Sequence, residues 1–208
     1  VNSSTSATIA WGMPTSMGDG TIASWRVRYS TAGSTTWTTV SPDQPITARS
    51  YTRTAFTACR GYAMRVAVRT TLAGTTGSGA YTTAPNFITA VPALAPTGLN
   101  ASYNATTKNA TLTWTAPTNT GGCAISDYAI QMSNDAGATW STVADGKSTL
   151  ATATVAMSPG TWVFRVAAIT TYTTSNATVL PTTNYTGAYT ASSSPAISIA
   201  GAEPFPPT

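Results

Sequence analysis

The strongest constraint on this chain is that its pattern is written twice. Ala7–Pro14 reads ATIAWGMP and Ala110–Pro117 reads ATLTWTAP; Ile22–Ser30 reads IASWRVRYS and Ile125–Ser133 reads ISDYAIQMS. Thr35–Val40, TTWTTV, returns as Ala138–Val143, ATWSTV, so that Trp11 and Trp114, Trp25 and Tyr128, and Trp37 and Trp140 are each 103 residues apart. Gly61–Thr70, GYAMRVAVRT, answers Thr161–Thr170, TWVFRVAAIT, and GAYT occurs at Gly79 and again at Gly187. A repeat of this length is one domain made twice. The expected domains are residues 1–92 and 93–203, joined near AVPALAPT (Ala90–Thr97), whose prolines suit a stiff connection. Residues 204–208 begin a linker to a further domain in this reading.

Each copy alternates at a period of two. Trp25, Val27 and Tyr29 share one strand face and Arg26 and Arg28 the other; Tyr62, Met64, Val66 and Val68 alternate likewise with Arg65 and Arg69. In the second copy the inward sets are Tyr128, Ile130, Met132 and Trp162, Phe164, Val166. Gly, Pro and Asn clusters separate the runs. Charged residues make up only 8% of the chain, and Thr, which suits a half-buried pleated surface, takes much of the polar share. An all-β antiparallel sandwich follows for each copy.

The same composition weighs against catalysis. There is no His among the 208 residues, which removes the usual general base and the commonest metal ligand. The acids Asp19, Asp43, Asp127, Asp135, Asp145 and Glu203 are scattered and form no close pair of the kind glycoside hydrolysis needs. No catalytic residue, metal site or cofactor is expected. The net charge of +4 is modest and lacks the basic stripe with interleaved aromatics of a nucleic-acid binder. No apolar run is long enough for membrane insertion by a helix.

Several motifs together resemble fibronectin type III domains in tandem, of the Thr-rich kind found in bacterial and phage extracellular repeats. They are the strand-B tryptophan followed by proline (Trp11/Pro14, Trp114/Pro117), the strand-C aromatic (Trp25, Tyr128), and the strand-F pattern aromatic-x-hydrophobic-Arg-Val at Tyr62–Val66 and Trp162–Val166. The resemblance implies two seven-strand, immunoglobulin-like sandwiches. Tyr62 would be the corner tyrosine whose hydroxyl bonds back to the main chain, with Trp162 in that place in the second copy.

Aligned on the repeat, Val1 falls opposite Asn104, so strand A of copy two (Thr97–Tyr103) has no counterpart in copy one. The expectation is an excerpt of a longer array, or a strand supplied by a neighbouring molecule. Cys59 lies in the E–F loop of copy one and Cys123 in the B–C loop of copy two. These loops face each other in a head-to-tail pair, so an interdomain disulfide is expected, with two separate thiols as the alternative. Such a bond belongs to oxidising compartments.

Two candidate binding surfaces stand out. Arg26, Arg28, Arg65 and Arg69 all point outward on strands C and F, giving a basic patch fit for acidic glycan or an acidic protein, or simply a solvated face. The loop Thr171–Thr190 is about eight residues longer than its counterpart, and Tyr172, Tyr185 and Tyr189 on it can stack on sugars or merely cover the joint. Asn-x-Ser/Thr triplets at Asn2, Asn100, Asn104, Asn109, Asn176 and Asn184 are a weak signal in so Thr-rich a chain. Ser133–Trp140 matches Ser-x-Asp-x-Gly-x-Thr-Trp, which resembles the Asp-box of sialidases. Copy one keeps the hairpin without those residues, which points to a turn rather than a glycosidase. The expected role is a non-enzymatic structural or adhesive segment of a larger extracellular, cell-surface or virion repeat protein, such as a fibre or sheath. Its partners would be further copies, neighbouring domains, or surface glycan or protein. The alternatives are an accessory module of a secreted polysaccharide hydrolase and a discrete glycan- or protein-binding module.

Overall fold

The computed structural model describes residues 1–16, 19–173, 178–193 and 196–200. The chain divides into two compact units. Val1–Val91 together with Tyr172–Thr183 make the first; Pro92–Thr171 and Asn184–Thr208 make the second. Every element among the described residues is a strand.

In the first unit these are β1 (Ala7–Ala10), β2 (Thr21–Thr31), β3 (Thr38–Thr39), β4 (Ser50–Arg53), β5 (Gly61–Leu72), β6 (Thr75–Ser78), β7 (Thr82–Thr83) and β8 (Phe87–Ile88). The pair β1–β4 forms one layer; β3-β2-β5-β6, with β7 and β8 also on β5, forms the other. All pairings are antiparallel, and β2 runs against β5 with Trp25 opposite Val68, Val27 opposite Val66 and Tyr29 opposite Met64. The alternation read from the sequence sets what lies between the layers. Ile9 from β1 meets Trp25, Val27, Tyr62, Met64 and Val66, and Phe56 closes the cluster.

The second unit repeats the plan with β9 (Thr97–Asn104), β10 (Asn109–Thr115), β11 (Ile125–Ser133), β12 (Ser141–Thr142), β13 (Thr152–Ala156), β14 (Gly160–Tyr172), β15 (Thr183–Tyr189) and β16 (Ile197–Ile199). Its layers are β13-β10-β9 and β12-β11-β14-β15, with β16 on β14. Leu112, Ile130, Phe164 and Val166 are fully buried between them.

The repeated aromatics now have reasons. Trp11 and Trp25 pack with ring centroids 5.7 Å apart, and their counterparts Trp114 and Tyr128 sit edge to face at 5.0 Å. The Tyr62 hydroxyl accepts the Thr57 N–H at 3.2 Å, as expected of a corner tyrosine. At the matching place the Trp162 indole can only donate, and it does so to the Ser158 carbonyl at 3.1 Å. The corner is closed in both units with donor and acceptor exchanged.

Candidate functional site

The outer face of β2 and β5 carries the four arginines singled out from the sequence, and their surroundings divide them into two pairs. Arg26 and Arg69 converge on one carboxylate. Arg26 Nη2 and Arg69 Nη1 lie 3.0 and 2.8 Å from Asp43 Oδ2, and Arg26 Nε also reaches Oδ1 at 3.0 Å. Partial burial raises the Asp43 pKa, but hydrogen bonds from Arg26 and Arg69 outweigh it and hold the carboxyl below its ordinary value.

Arg65 is held differently. Its guanidinium lies 3.9 Å from the centre of the Trp37 ring and 4.3 Å from that of Tyr81. The second unit builds the same stack, with Arg165 4.2 Å from Trp140 and 4.4 Å from Tyr189. A cation against a ring face is favourable by about 0.5–1 kcal/mol at exposed sites. Arg28 shares the Tyr81 ring at 4.9 Å, Arg49 lies 5.5 Å from Trp25, and Arg53 lies 3.9 Å from Tyr29. The first half of the chain has seven arginines against Asp19 and Asp43; Arg26 and Arg69 share Asp43, and Arg28, Arg49, Arg53 and Arg65 lie against aromatic faces. The sequence pattern puts Arg26, Arg28, Arg65 and Arg69 on the outward positions of their strands but does not reveal their partners. The signal was present in the repeat, since Trp37/Trp140, Arg65/Arg165 and the tyrosine of each GAYT recur together.

The two stacks differ in one neighbour. In the second unit Gln131 stands directly opposite Arg165 and its Oε1 accepts Arg165 Nε at 2.8 Å. In the first unit Arg28 stands directly opposite Arg65, and Arg65 Nε is buried with no hydrogen-bond partner. Like charges directly across a ladder are destabilising. Arg28→Gln is therefore expected to stabilise the chain by about 1 kcal/mol: it removes the repulsion and supplies the acceptor, against loss of an exposed bond to Thr39. Urea unfolding of the variant beside the parent chain measures this, and a lower midpoint would contradict it.

The tyrosines of the long loop are divided between the two units. Tyr185 and Tyr189 lie four residues apart on the same face of β15, and Tyr189 is the lower half of the Arg165 stack. Tyr172 ends β14, is 9% exposed, and groups with the first unit. There Gly61 permits close packing: a Cβ at that position would lie 2.5 Å from Leu180 Cδ1 and 2.9 Å from the Tyr172 hydroxyl. Asn86 Nδ2 also donates to the Val179 carbonyl at 3.4 Å. Asn176 and residues 204–208 lie outside the described residues.

The Asp-box residues are all committed to one turn. Ser133 Oγ donates to Asp135 Oδ1 at 2.6 Å and accepts the Gly137 N–H at 2.8 Å. Asp135 Oδ1 accepts the Thr139 N–H at 2.9 Å, and Oδ2 accepts the Thr139 hydroxyl at 2.6 Å. Gly137 takes φ of +93°, which a Cβ would disfavour. Trp140 then leaves the turn to cover Arg165. Hydrogen bonds from Ser133, and next from Thr139, hold the Asp135 carboxyl well below the usual carboxylate range. A depressed folded pKa means that the turn's contribution is complete above the unfolded value near ~3.9 and is lost as pH falls through the folded one. Carbon-detected NMR at pH 3 is expected to show Asp135 still ionised; titration near ~3.9 would mean the network is not formed.

Both cysteines are disulfide-bonded, and since the chain has two, the bond joins Cys59 to Cys123. Among the described residues no group of three or more His, Cys, Asp or Glu is placed to hold a metal ion.

No protein-family profile matches the sequence, and no curated protein does. Solved structures do. A two-domain fibronectin type III segment of chicken tenascin aligns over 95% of this chain and 94% of its own length, with 16% identity and a TM-score of 0.51. This chain has the fold of a tandem fibronectin type III pair. Partial likeness extends to the chicken CNTN1 FN1–FN3 domains, at 14% identity and a TM-score of 0.39, of which the chain spans 61%. It spans 18% of a structure of titin kinase and its flanking domains, at 22% identity and a TM-score of 0.41.

Proposed function

We propose that these fibronectin type III units are a non-enzymatic structural or adhesive segment of a larger extracellular repeat protein. The carrying observation is that side chains able to do chemistry are used twice over for the same structural purpose. Trp37, Arg65 and Tyr81 lock the outer layer of one unit as Trp140, Arg165 and Tyr189 lock that of the other. The Asp-box serves a turn, and Asp43 serves two arginines. The disulfide supports an oxidising, extracellular setting. Immunogold imaging of the source cells or particles tests this reading. Label repeating along surface fibres or sheaths is the expected result; label confined to a secreted polysaccharide hydrolase would replace it with the accessory-module reading.

One observation favours an added binding role. Arg28 and Arg65 oppose each other where the second unit has Gln131 and Arg165, an unfavourable arrangement that an acidic glycan lying across both would relieve. Elution of the chain from an acidic polysaccharide column at lower salt after Arg28→Gln supports this; unchanged elution removes it.

A further inference from the structure

The two units treat one carboxylate position in opposite ways. In the first, Asp43 lies in the connection between β3 and β4 and takes the guanidinium groups of Arg26 and Arg69; the Ser24 hydroxyl also donates to its Oδ2 at 3.5 Å. The matching connection of the second unit, between β12 and β13, carries Asp145. The register of β11 against β14 puts Asp127 where Ser24 stands, Ala129 where Arg26 stands and Ile169 where Arg69 stands. Both cations are gone and a second acid is present. The Ser148 N–H donates to Asp127 Oδ1 at 3.0 Å, which brings the Asp145 connection onto that strand. Partial desolvation first, and the charge of Asp127 as well, hold the Asp145 carboxyl above its ordinary value.

The complementary charge stands on the first unit. Among the described residues the ion pairs are those of Asp43 with Arg26 and Arg69. Arg28 and Arg65, directly opposite each other on β2 and β5, are therefore in no ion pair, and neither are Asp127 and Asp145. Asp135, the other carboxylate described in the second unit, is held by its own turn. One unit thus presents two cations side by side and the other two acids side by side, each on the outer face of its sheet or on the connection that borders it.

We propose that the Arg28–Arg65 pair of one chain docks on the Asp127–Asp145 pair of a second copy. The occupant is a second copy because both halves of the charge match are carried by this one chain, so association needs no other component. The chemistry of the contact is already at work inside the first unit, where a single carboxylate draws two guanidinium groups. A carboxylate brought between Arg28 and Arg65 also offsets the repulsion of two like charges facing each other across a ladder, and a guanidinium brought to Asp127 and Asp145 does the same for the acids. The contact rests on the acid-binding role given above to Arg28 and Arg65, and it assigns the acid to protein rather than glycan.

Sedimentation of the full chain at low salt and at about 1 M salt, where screening acts over ~3 Å, is the first test. Concentration-dependent association is expected at low salt, weaker by about tenfold or more at high salt. Two single variants then separate the surfaces. Arg28→Glu spoils the basic side and Asp145→Lys the acidic side, and each alone is expected to associate about tenfold or more weakly than the parent chain. An equimolar mixture of the two recovers association, because it brings the intact basic side of one to the intact acidic side of the other. Both variants keep a net positive charge, so attraction between opposite net charges does not explain recovery. A parent chain that stays monomeric at low salt, association that survives either variant, or a mixture that fails to recover overturns the proposal. A monomeric parent whose elution from acidic polysaccharide still falls with Arg28→Gln refutes this contact while the acid-binding role stands.

Discussion

Reducing the Cys59–Cys123 bond lowers the unfolding free energy by about 4 kcal/mol and moves the urea midpoint down by a matching amount. The bond closes a loop of about 65 residues; most of its effect lies in the unfolded chain, which regains the entropy of the open loop when the sulfurs part. This account makes a second demand: the reduced chain unfolds to a more expanded ensemble, so the denaturant slope rises as the midpoint falls. Cys123 is 1% exposed, so Cys123→Ala is a cleaner variant than Cys123→Ser, which would bury a hydroxyl. At the other end the backbone enters the balance. Cys59 has φ of +52° and its N–H bonds to the Thr89 carbonyl at 2.7 Å, so the left-handed conformation persists after substitution. Cys59→Gly is then more stable than Cys59→Ala by about 1 kcal/mol. An unmoved midpoint under reductant would show that the bond constrains nothing in the unfolded chain.

What could be read in advance divides along a physical line. Alternation at Trp25–Tyr29 and Tyr62–Val68 placed those residues in a sandwich, because inward and outward faces are local properties of a strand. The 103-residue offset showed that one domain is made twice, with strands of one unit answering strands of the other. Partners of outward residues are a different matter, since Asp43 is far in sequence from both Arg26 and Arg69 and meets them only after three segments have docked. The Arg65 and Arg165 stacks were hidden for the same reason, although all three participants recur in the repeat. Tyr172 shows a further limit. Aligning the copies assigns each residue to its own copy, yet Tyr172 and Leu180 belong with the first unit, and only the tertiary fold reveals it.

Phe164→Ala is expected to cost about 3–5 kcal/mol, the largest effect of a single side chain in the second unit. Phe164 has no exposed surface and sits between Leu112, Ile130 and Val166 in the core. Its main chain is fixed independently: the Phe164 N–H donates to Ser193 Oγ at 3.0 Å, and its carbonyl accepts the Ser193 N–H at 2.8 Å. Truncating the ring therefore leaves the ladder in place and the walls too well anchored to collapse, which is the condition under which a cavity is most costly. The first unit supplies the control. Met64, 1% exposed, occupies the same step of the strand-F pattern, so a flexible side chain of similar reach is acceptable there. Phe164→Met should then cost less than about 1.5 kcal/mol. Thermal unfolding of both variants, with exchange of the Ser193 amide followed at low temperature, separates packing from pairing. Equal losses for Ala and Met would mean that the ring's shape, rather than the volume it fills, determines stability at this position.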